Sequence, residues 1–126
     1  MSKLLWEGLT ERIIGAAIEV HRELGPGLLE SAYQRCLCYE LTWAGIPFEC
    51  QVEVPIRYKG ELIDVKYRID VLVDDKIVVE LKAVEELLPL HEAQLLTYMK
   101  LRGARLGLLI NFNTTVLIDG VRRRIL

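Results

Sequence analysis

Asp70, Glu80 and Lys82 carry the side chains that chemistry at a hard cation needs: two carboxylates to hold it and an amine to balance charge beside it. They come together only if the segments bearing them are adjacent strands. Before the break at Asp74-Asp75-Lys76, apolar residues occupy the odd positions Ile69, Val71 and Val73; after it, Ile77, Val79 and Leu81 do the same. Strand side chains alternate between faces, so each segment has an apolar odd face, and both faces must enter one core. Odd residues must therefore pair with odd. A loop over 74–76 meets that requirement, setting Val73 opposite Ile77 and Asp70 opposite Glu80, whereas a two-residue loop would turn one apolar face to solvent. Hydrophobic pattern alone thus predicts Asp70, Glu80 and Lys82 on one face. Carboxylates opposed across a ladder repel unless a cation lies between them, and hard oxygen donors of this kind suit Mg2+ or Mn2+. Glu-x-Lys by itself is weak evidence: roughly 0.6 occurrences are expected by chance in this composition. An ordinary polar face with a Glu–Lys neighbour pair is the competing explanation.

The elements that must position these residues follow from periodicity. Residues 10–24 predict a helix capped by Thr10, with Ile13, Ala17, Val20 and Leu24 on one stripe and Gly25-Pro26-Gly27 ending it. A second helix runs over 28–44, with Leu29, Ala32/Tyr33, Cys36/Leu37 and Leu41 inward and Gly45 at its end. The period then changes to alternation over 48–54, followed by a hairpin of 56–58 and a strand from 62 around Lys59-Gly60. Strands over 66–73 and 77–82 form the central hairpin. A helix over 90–101 follows Pro89, then a buried apolar strand over 106–111, then a last hairpin of 115–118 and 121–126 around Asp119-Gly120. The order is ααβββββαβββ, an α/β (α+β) domain with a mixed sheet. No repeat or linker divides it, so residues 1–126 are read as one domain.

Composition narrows the class. The 126 residues are 52% hydrophobic, with 16 basic and 18 acidic side chains, which excludes disorder. No uncharged apolar run is long enough to span a membrane. Glu7, Glu11 and Arg12 interrupt what would be the apolar region of a signal peptide, so the chain is expected to be cytoplasmic. Cys36, Cys38 and Cys50 are then expected to be reduced, buried thiols, and Cys36 and Cys38 lie too far around a helix to share a metal. Charge is uneven: Lys100, Arg102, Arg105, Arg122, Arg123 and Arg124 face one acid, Asp119, in the last stretch. That basic tail either contacts phosphates or protects an edge strand.

The string Ile69-Asp70-Val71 through Val79-Glu80-Leu81-Lys82 resembles the core of the PD-(D/E)XK nuclease superfamily. Gly27-Leu28-Leu29-Glu30-Ser31-Ala32-Tyr33 fits G-x-x-E-x-x-Y, and Gln94 to Tyr98 fits the Q-x-x-x-Y of RecB-like nucleases. Together with Gly107 to Phe112, these strings resemble the small bacterial GxxExxY proteins across nearly the whole chain. One departure is that Ile69, not proline, precedes Asp70.

The resemblance implies a restriction-endonuclease-like αβββαβ core, its mixed sheet flanked by helices. It also implies metal-dependent, Mg2+ or Mn2+, hydrolysis of nucleic-acid phosphodiesters, DNA being the expected substrate. Asp70, Glu80 and the Leu81 carbonyl would hold the metal, with Glu30 either a further ligand or a structural acid favoured by the N-terminus of its helix. Lys82 would position the attacking water, and Gln94 and Tyr98, four apart on one helix face, would orient phosphate, water or Lys82. Arg122, Arg123 and Arg124 are the candidate nucleic-acid contacts. Tyr33 reads as core packing with its hydroxyl bonded inward, Gly27 as a turn residue, His21 as a helix-end residue, and His91 as a minor ligand candidate. A twofold homodimer is the expected assembly. The alternative is a non-catalytic nucleic-acid-binding or protein-interaction module that retains the fold.

Overall fold

The structure is a computed structural model that describes residues 6–126. Those parts of the single-domain and N-terminal readings that rest on residues 1–5 lie outside it. The elements in chain order are α1 (Glu7–Leu24), α2 (Glu30–Trp43), β1 (Phe48–Tyr58), β2 (Glu61–Val73), β3 (Ile77–Lys82), α3 (Pro89–Arg102), β4 (Leu106–Asn111), a 3-10 turn (Leu117–Gly120) and β5 (Val121–Ile125). The five strands form one sheet in the order β1-β2-β3-β4-β5. β3 and β4 are parallel because α3 carries the chain back across the sheet between them; the other pairs are antiparallel. This is the expected α+β class, with the αβββαβ core in place.

Helices cover both faces, and each face has its own core. On one side Ile13, Ala17 and Val20 of α1 and Tyr33, Leu37 and Leu41 of α2 pack against Val71, Val73, Ile77, Val79, Leu81 and the even residues of β4. On the other, Leu95, Tyr98 and Met99 of α3 pack against Val54, Ile69, Leu72, Val78 and Leu109. β3 and β4 are buried on both faces, as parallel strands between two helical layers must be, and therefore read as nearly continuous apolar runs. Tyr33 is buried as expected, stacked on Phe112 at 4.5 Å, with its hydroxyl donating to the Gly25 carbonyl at 2.6 Å and accepting the Leu28 amide. Gly27 serves the turn between α1 and α2 at φ +103, a backbone state that penalises any side chain.

Several expectations are corrected. α1 begins at Glu7, so Thr10 is not a cap but a buried residue inside the first turns. Leu24 and Leu29 are exposed, because the connection between the helices turns outward there. The strands of 48–54 and 56–58 are one strand, bulged between Val54 and Ile56 at Pro55, which an edge strand tolerates. The strand from 62 and that of 66–73 are likewise one, so the first hairpin is a long ribbon. No strand forms over 115–118. The chain there makes the 3-10 turn, and β5 pairs directly with β4. The cysteines are not buried: Cys36 and Cys38 are half-buried and Cys50 is exposed.

The most consequential correction concerns Ile69. Val71 and Val73 enter the core under α1 and α2, but Ile69 enters the core under α3 beside Leu72. Alternation is broken at Asp70. Its partner across β1 is also irregular: Gln51 adopts φ +53, and the β1–β2 pairing skips both residues while keeping register on either side.

Candidate active site

The central hairpin has the expected register, Val73↔Ile77, Leu72↔Val78 and Val71↔Val79. Asp74 and Asp75 supply the left-handed residues of the turn, at φ +51 and +56. Continuing that register by one position brings Asp70 level with Glu80, but the ladder has ended. The Asp70 amide donates to Glu80 Oε2 at 2.8 Å, and the Leu81 amide donates to Asp70 Oδ2 at 2.9 Å. Carboxylates thus take over from backbone carbonyls at the break in alternation.

Glu80 is only 4% exposed. Burial first, and the neighbouring Asp70 charge second, push its carboxyl up to about 8; the Asp70 amide and Lys82 oppose the shift, while Glu30 adds to it. Asp70 is also raised, chiefly by burial, against the pull of the Leu81 amide, Lys82 and Gln51. The buried Glu80 and the half-buried Asp70 have too little positive charge around them, since Lys82 alone does not offset the pair.

Lys82 Nζ lies 3.4 Å from Gln94 Oε1, and Gln94 Nε2 lies 3.5 Å from the Tyr98 hydroxyl. These are long hydrogen bonds, but they run in sequence from the amine across the face of α3. Tyr98 is raised by burial, then by Glu80, Asp70 and Tyr67. The structure therefore gathers Asp70, Glu80, Lys82, Gln94 and Tyr98. Beside them a groove of about 360 Å3 is lined by Ile56, Tyr67, His91, Gln94, Thr97 and Tyr98, among others.

Glu30 stands at the rim. It is exposed in the first turn of α2, close enough to raise Glu80 but without a hydrogen bond into the pair. Among the described residues no three His, Cys, Asp or Glu side chains converge as a metal-holding group. The donor set nevertheless fits a small hard cation. Mg2+ takes one or two carboxylates and fills its shell with water and substrate oxygens; Asp70, Glu80 and the Leu81 carbonyl supply donors of that kind. His91 is occupied otherwise: its Nδ1 accepts the Leu88 amide at 3.0 Å, capping α3. His21 is a helix-end residue, its Nε2 on the Thr114 carbonyl at 2.8 Å.

The three arginines of β5 do not form one patch. Strand alternation puts Arg122 and Arg124 on the α3 face and Arg123 on the other. Arg124 is paired with Glu92 of α3, and Arg122 donates to the Asp119 and Val121 carbonyls. Arg122 is level with Glu80 through Leu109 of the intervening strand.

Two supporting residues escape sequence reading. Gln51 Nε2 reaches Gln34 Oε1 at 2.7 Å and Asp70 Oδ1 at 3.4 Å, bridging α2 to the site. Asn111, 2% exposed, is paired with Lys82 across the parallel ladder. Its side chain accepts the Val84 and Asn113 amides and donates to the Val84 carbonyl at 2.9 Å, fixing the chain just after Lys82. The one available signal was an asparagine ending an otherwise apolar strand.

A mixed sheet with helices on both faces, split at paired carboxylates with a lysine two residues on, defines a nuclease-type domain. The family model of the PD-(D/E)XK nuclease superfamily matches residues 7–124, and the chain belongs to that superfamily. No curated protein and no solved structure matches it significantly. Among the described residues no helix is long and apolar enough to cross a membrane.

Proposed function

We propose that this chain is a divalent-metal-dependent nuclease acting on nucleic-acid phosphodiesters, with DNA as the substrate. The observation that carries the reading is the pair Asp70 and Glu80 beside Lys82, the Asp70 amide donating to the Glu80 carboxylate and the Leu81 amide to the Asp70 carboxylate, with both acids raised. A structural pair gains nothing from opposed, underneutralised carboxylates; a cation site does.

A bound Mg2+ or Mn2+ would polarise the phosphodiester and make its own water a better nucleophile. Asp70 and Glu80 hold that cation, with the Leu81 carbonyl completing the protein donors. Lys82 would offset charge at the scissile phosphate and orient the water. Gln94 holds the Lys82 amine, and Tyr98 holds Gln94. The groove bounded by Tyr67 and Tyr98 receives the substrate strand, since aromatic faces accept stacked bases without regard to sequence. Arg122, on the same sheet face and level with Glu80, extends the basic surface along which the backbone runs. Glu30 contributes from the rim, through charge and bound water. The protein works in the cytoplasm, and a second copy related by twofold symmetry would let two such sites address a duplex.

The test is calorimetric titration with Mn2+ alongside cleavage of linear duplex, single-stranded and branched DNA and of RNA. Binding at micromolar to millimolar Mn2+ with metal-dependent cleavage is expected. Absence of binding at millimolar metal would overturn the reading in favour of a non-catalytic module.

A further inference from the structure

Cys38 on α2 and Cys50 on β1 face each other with their Sγ atoms 2.6 Å apart. Two non-bonded sulfurs do not ordinarily approach so closely, and only a short closure separates them from the ~2.05 Å of a covalent S–S bond. Cys36 is half-buried against the core shared by α1 and α2. We propose that Cys38 and Cys50 are a redox pair that closes to an intramolecular disulfide, tying α2 to β1 at the rim of the carboxylate cluster.

The two thiols have different environments. Cys50 is exposed and Cys38 is half-buried. Burial, and then the proximity of Cys50, push the Cys38 thiol up to about 12. Cys38 therefore keeps its proton at neutral pH, and Cys50 is the sulfur an oxidant meets. The oxidant is a hydroperoxide. The Cys50 sulfur attacks its terminal oxygen and gives up the thiol proton, the O–O bond breaks, sulfur is oxidised to the sulfenic acid, and the other oxygen leaves with that proton as water or alcohol. The Cys38 sulfur then attacks the Cys50 sulfur, the S–S bond forms and the S–O bond breaks. Hydroxide departs and takes up the Cys38 proton as water. Two electrons leave the thiol pair and one peroxide is reduced. A small dithiol reverses the step by exchange.

The position of the bond gives it a structural consequence. Cys50 immediately precedes Gln51, the residue at φ +53 that bridges Gln34 of α2 and Asp70. The disulfide joins the same two elements as that side-chain bridge, so oxidation fixes the kink in β1 that accompanies the break in alternation at Asp70. The inference uses neither the metal nor the nuclease reading, so either can fail without the other.

The experiment treats the full chain with hydrogen peroxide at neutral pH and reads intact mass, thiol titre and non-reducing peptide maps. Closure removes about 2 Da, lowers the titre by two of the three thiols, and yields a Cys38–Cys50 cross-linked peptide. The melting temperature rises by several degrees, amide exchange over residues 48–52 slows, and dithiothreitol reverses both. Cys36→Ala still closes, and Cys38→Ser does not. A cross-link through Cys36, a Cys50-linked dimer, Cys50 sulfinic acid beside an intact Cys38 thiol, or three unreacted thiols would each overturn the proposal.

Discussion

The backbone amide of Asp70 donates to the carboxylate of Glu80 at 2.8 Å, and the amide that follows Glu80 donates back to the carboxylate of Asp70 at 2.9 Å. Each acid is thus anchored to the other's strand by an N–H group, although the two charges repel. The anchor supplies position, and the repulsion supplies affinity for a cation. Without metal, burial of both acids, and for Glu80 the neighbouring Asp70 charge, makes stability depend on pH.

The sign of that dependence follows from the shifts. Glu80 is raised from 4.5 to about 8 and Asp70 is raised from 3.8, so the folded chain binds these protons more tightly than the unfolded chain. Their favourable contribution is complete below the unfolded values and is lost as pH rises toward about 8. In EDTA, the melting temperature should fall between about pH 5 and pH 8. Glu80→Gln should flatten the profile, and Mn2+ should restore stability at the alkaline end. A melting temperature that rises over this interval in EDTA would count against the charge assignment.

Asp70→Asn tests the same pair from the other side. The amide oxygen can still accept the Leu81 N–H while the repulsion disappears, so stability should be unchanged or raised by about 1 kcal/mol. Chemical denaturation measures it. A loss beyond ~2 kcal/mol would assign Asp70 to a structural hydrogen-bond network.

The residues of this pair were legible because one face of each strand near the turn must be buried, which leaves a single register for Val71, Val73, Ile77 and Val79. The same rule failed one step later. Ile69 is as apolar as Val71, and composition offers no sign that alternation breaks between them. The cause is tertiary: a carboxylate takes the Asp70 amide, and Gln51 on another strand adopts a left-handed backbone. β1 reads as two segments in sequence because Pro55 resembles a break, although on an edge it only bulges the ladder. Val116 and Ile118 mimic a strand in sequence yet are exposed, and Leu117 alone is buried. Gln94 and Tyr98 were legible through their spacing on one helix, whereas the roles of Gln51 and Asn111 depend on partners distant in sequence.

Asn111 should behave as a structural latch for the segment after Lys82. Asn111→Ala leaves the Val84 amide and carbonyl without their partner in a buried setting, which costs about 2–4 kcal/mol. Gly120 backs the same residue: a Cβ there would meet the Asn111 carbonyl oxygen, which is backbone and cannot swing aside. At Gly107 a Cβ meets only the ends of Met99 and Leu95, which are flexible side chains. Gly120→Ala should therefore destabilise by roughly 2–3 kcal/mol and Gly107→Ala by about 1 kcal/mol. Urea denaturation of both variants checks the order, and the reverse order would contradict the packing described for β4.

Alternation on β5 makes separate predictions for its arginines. If Arg122 meets phosphate, Arg122→Ala should weaken DNA binding at every sequence and reduce the salt slope by up to about 0.9. Arg123→Ala, altered on the opposite face, should leave the slope unchanged. Arg124→Ala should act mainly through the lost pairing with Glu92, lowering stability by less than ~1 kcal/mol. Equal slope changes for Arg122 and Arg123 would mean that DNA contacts the sheet edge instead of its α3 face.

The sharpest separation of roles is between the carboxylates and Lys82. Asp70→Ala and Glu80→Ala each remove one of two anionic donors, so both should lose Mn2+ binding together with cleavage. Lys82→Ala removes no donor to the cation and should retain Mn2+ binding. Without the ammonium the attacking water is poorly placed, and turnover should fall by ~10²-fold or more, the scale of a positioned proton-transfer group. Gln94→Ala, which frees the Lys82 amine from its 3.4 Å contact, should give a smaller loss in the same direction. DNA binding should survive in all four variants, because backbone contacts elsewhere carry most of the affinity. Titration with Mn2+ beside single-turnover cleavage distinguishes the cases. If Lys82→Ala also lost the metal, the lysine would belong to the support of the carboxylates. The water-positioning role would then fall to the Gln94 and Tyr98 side of the groove.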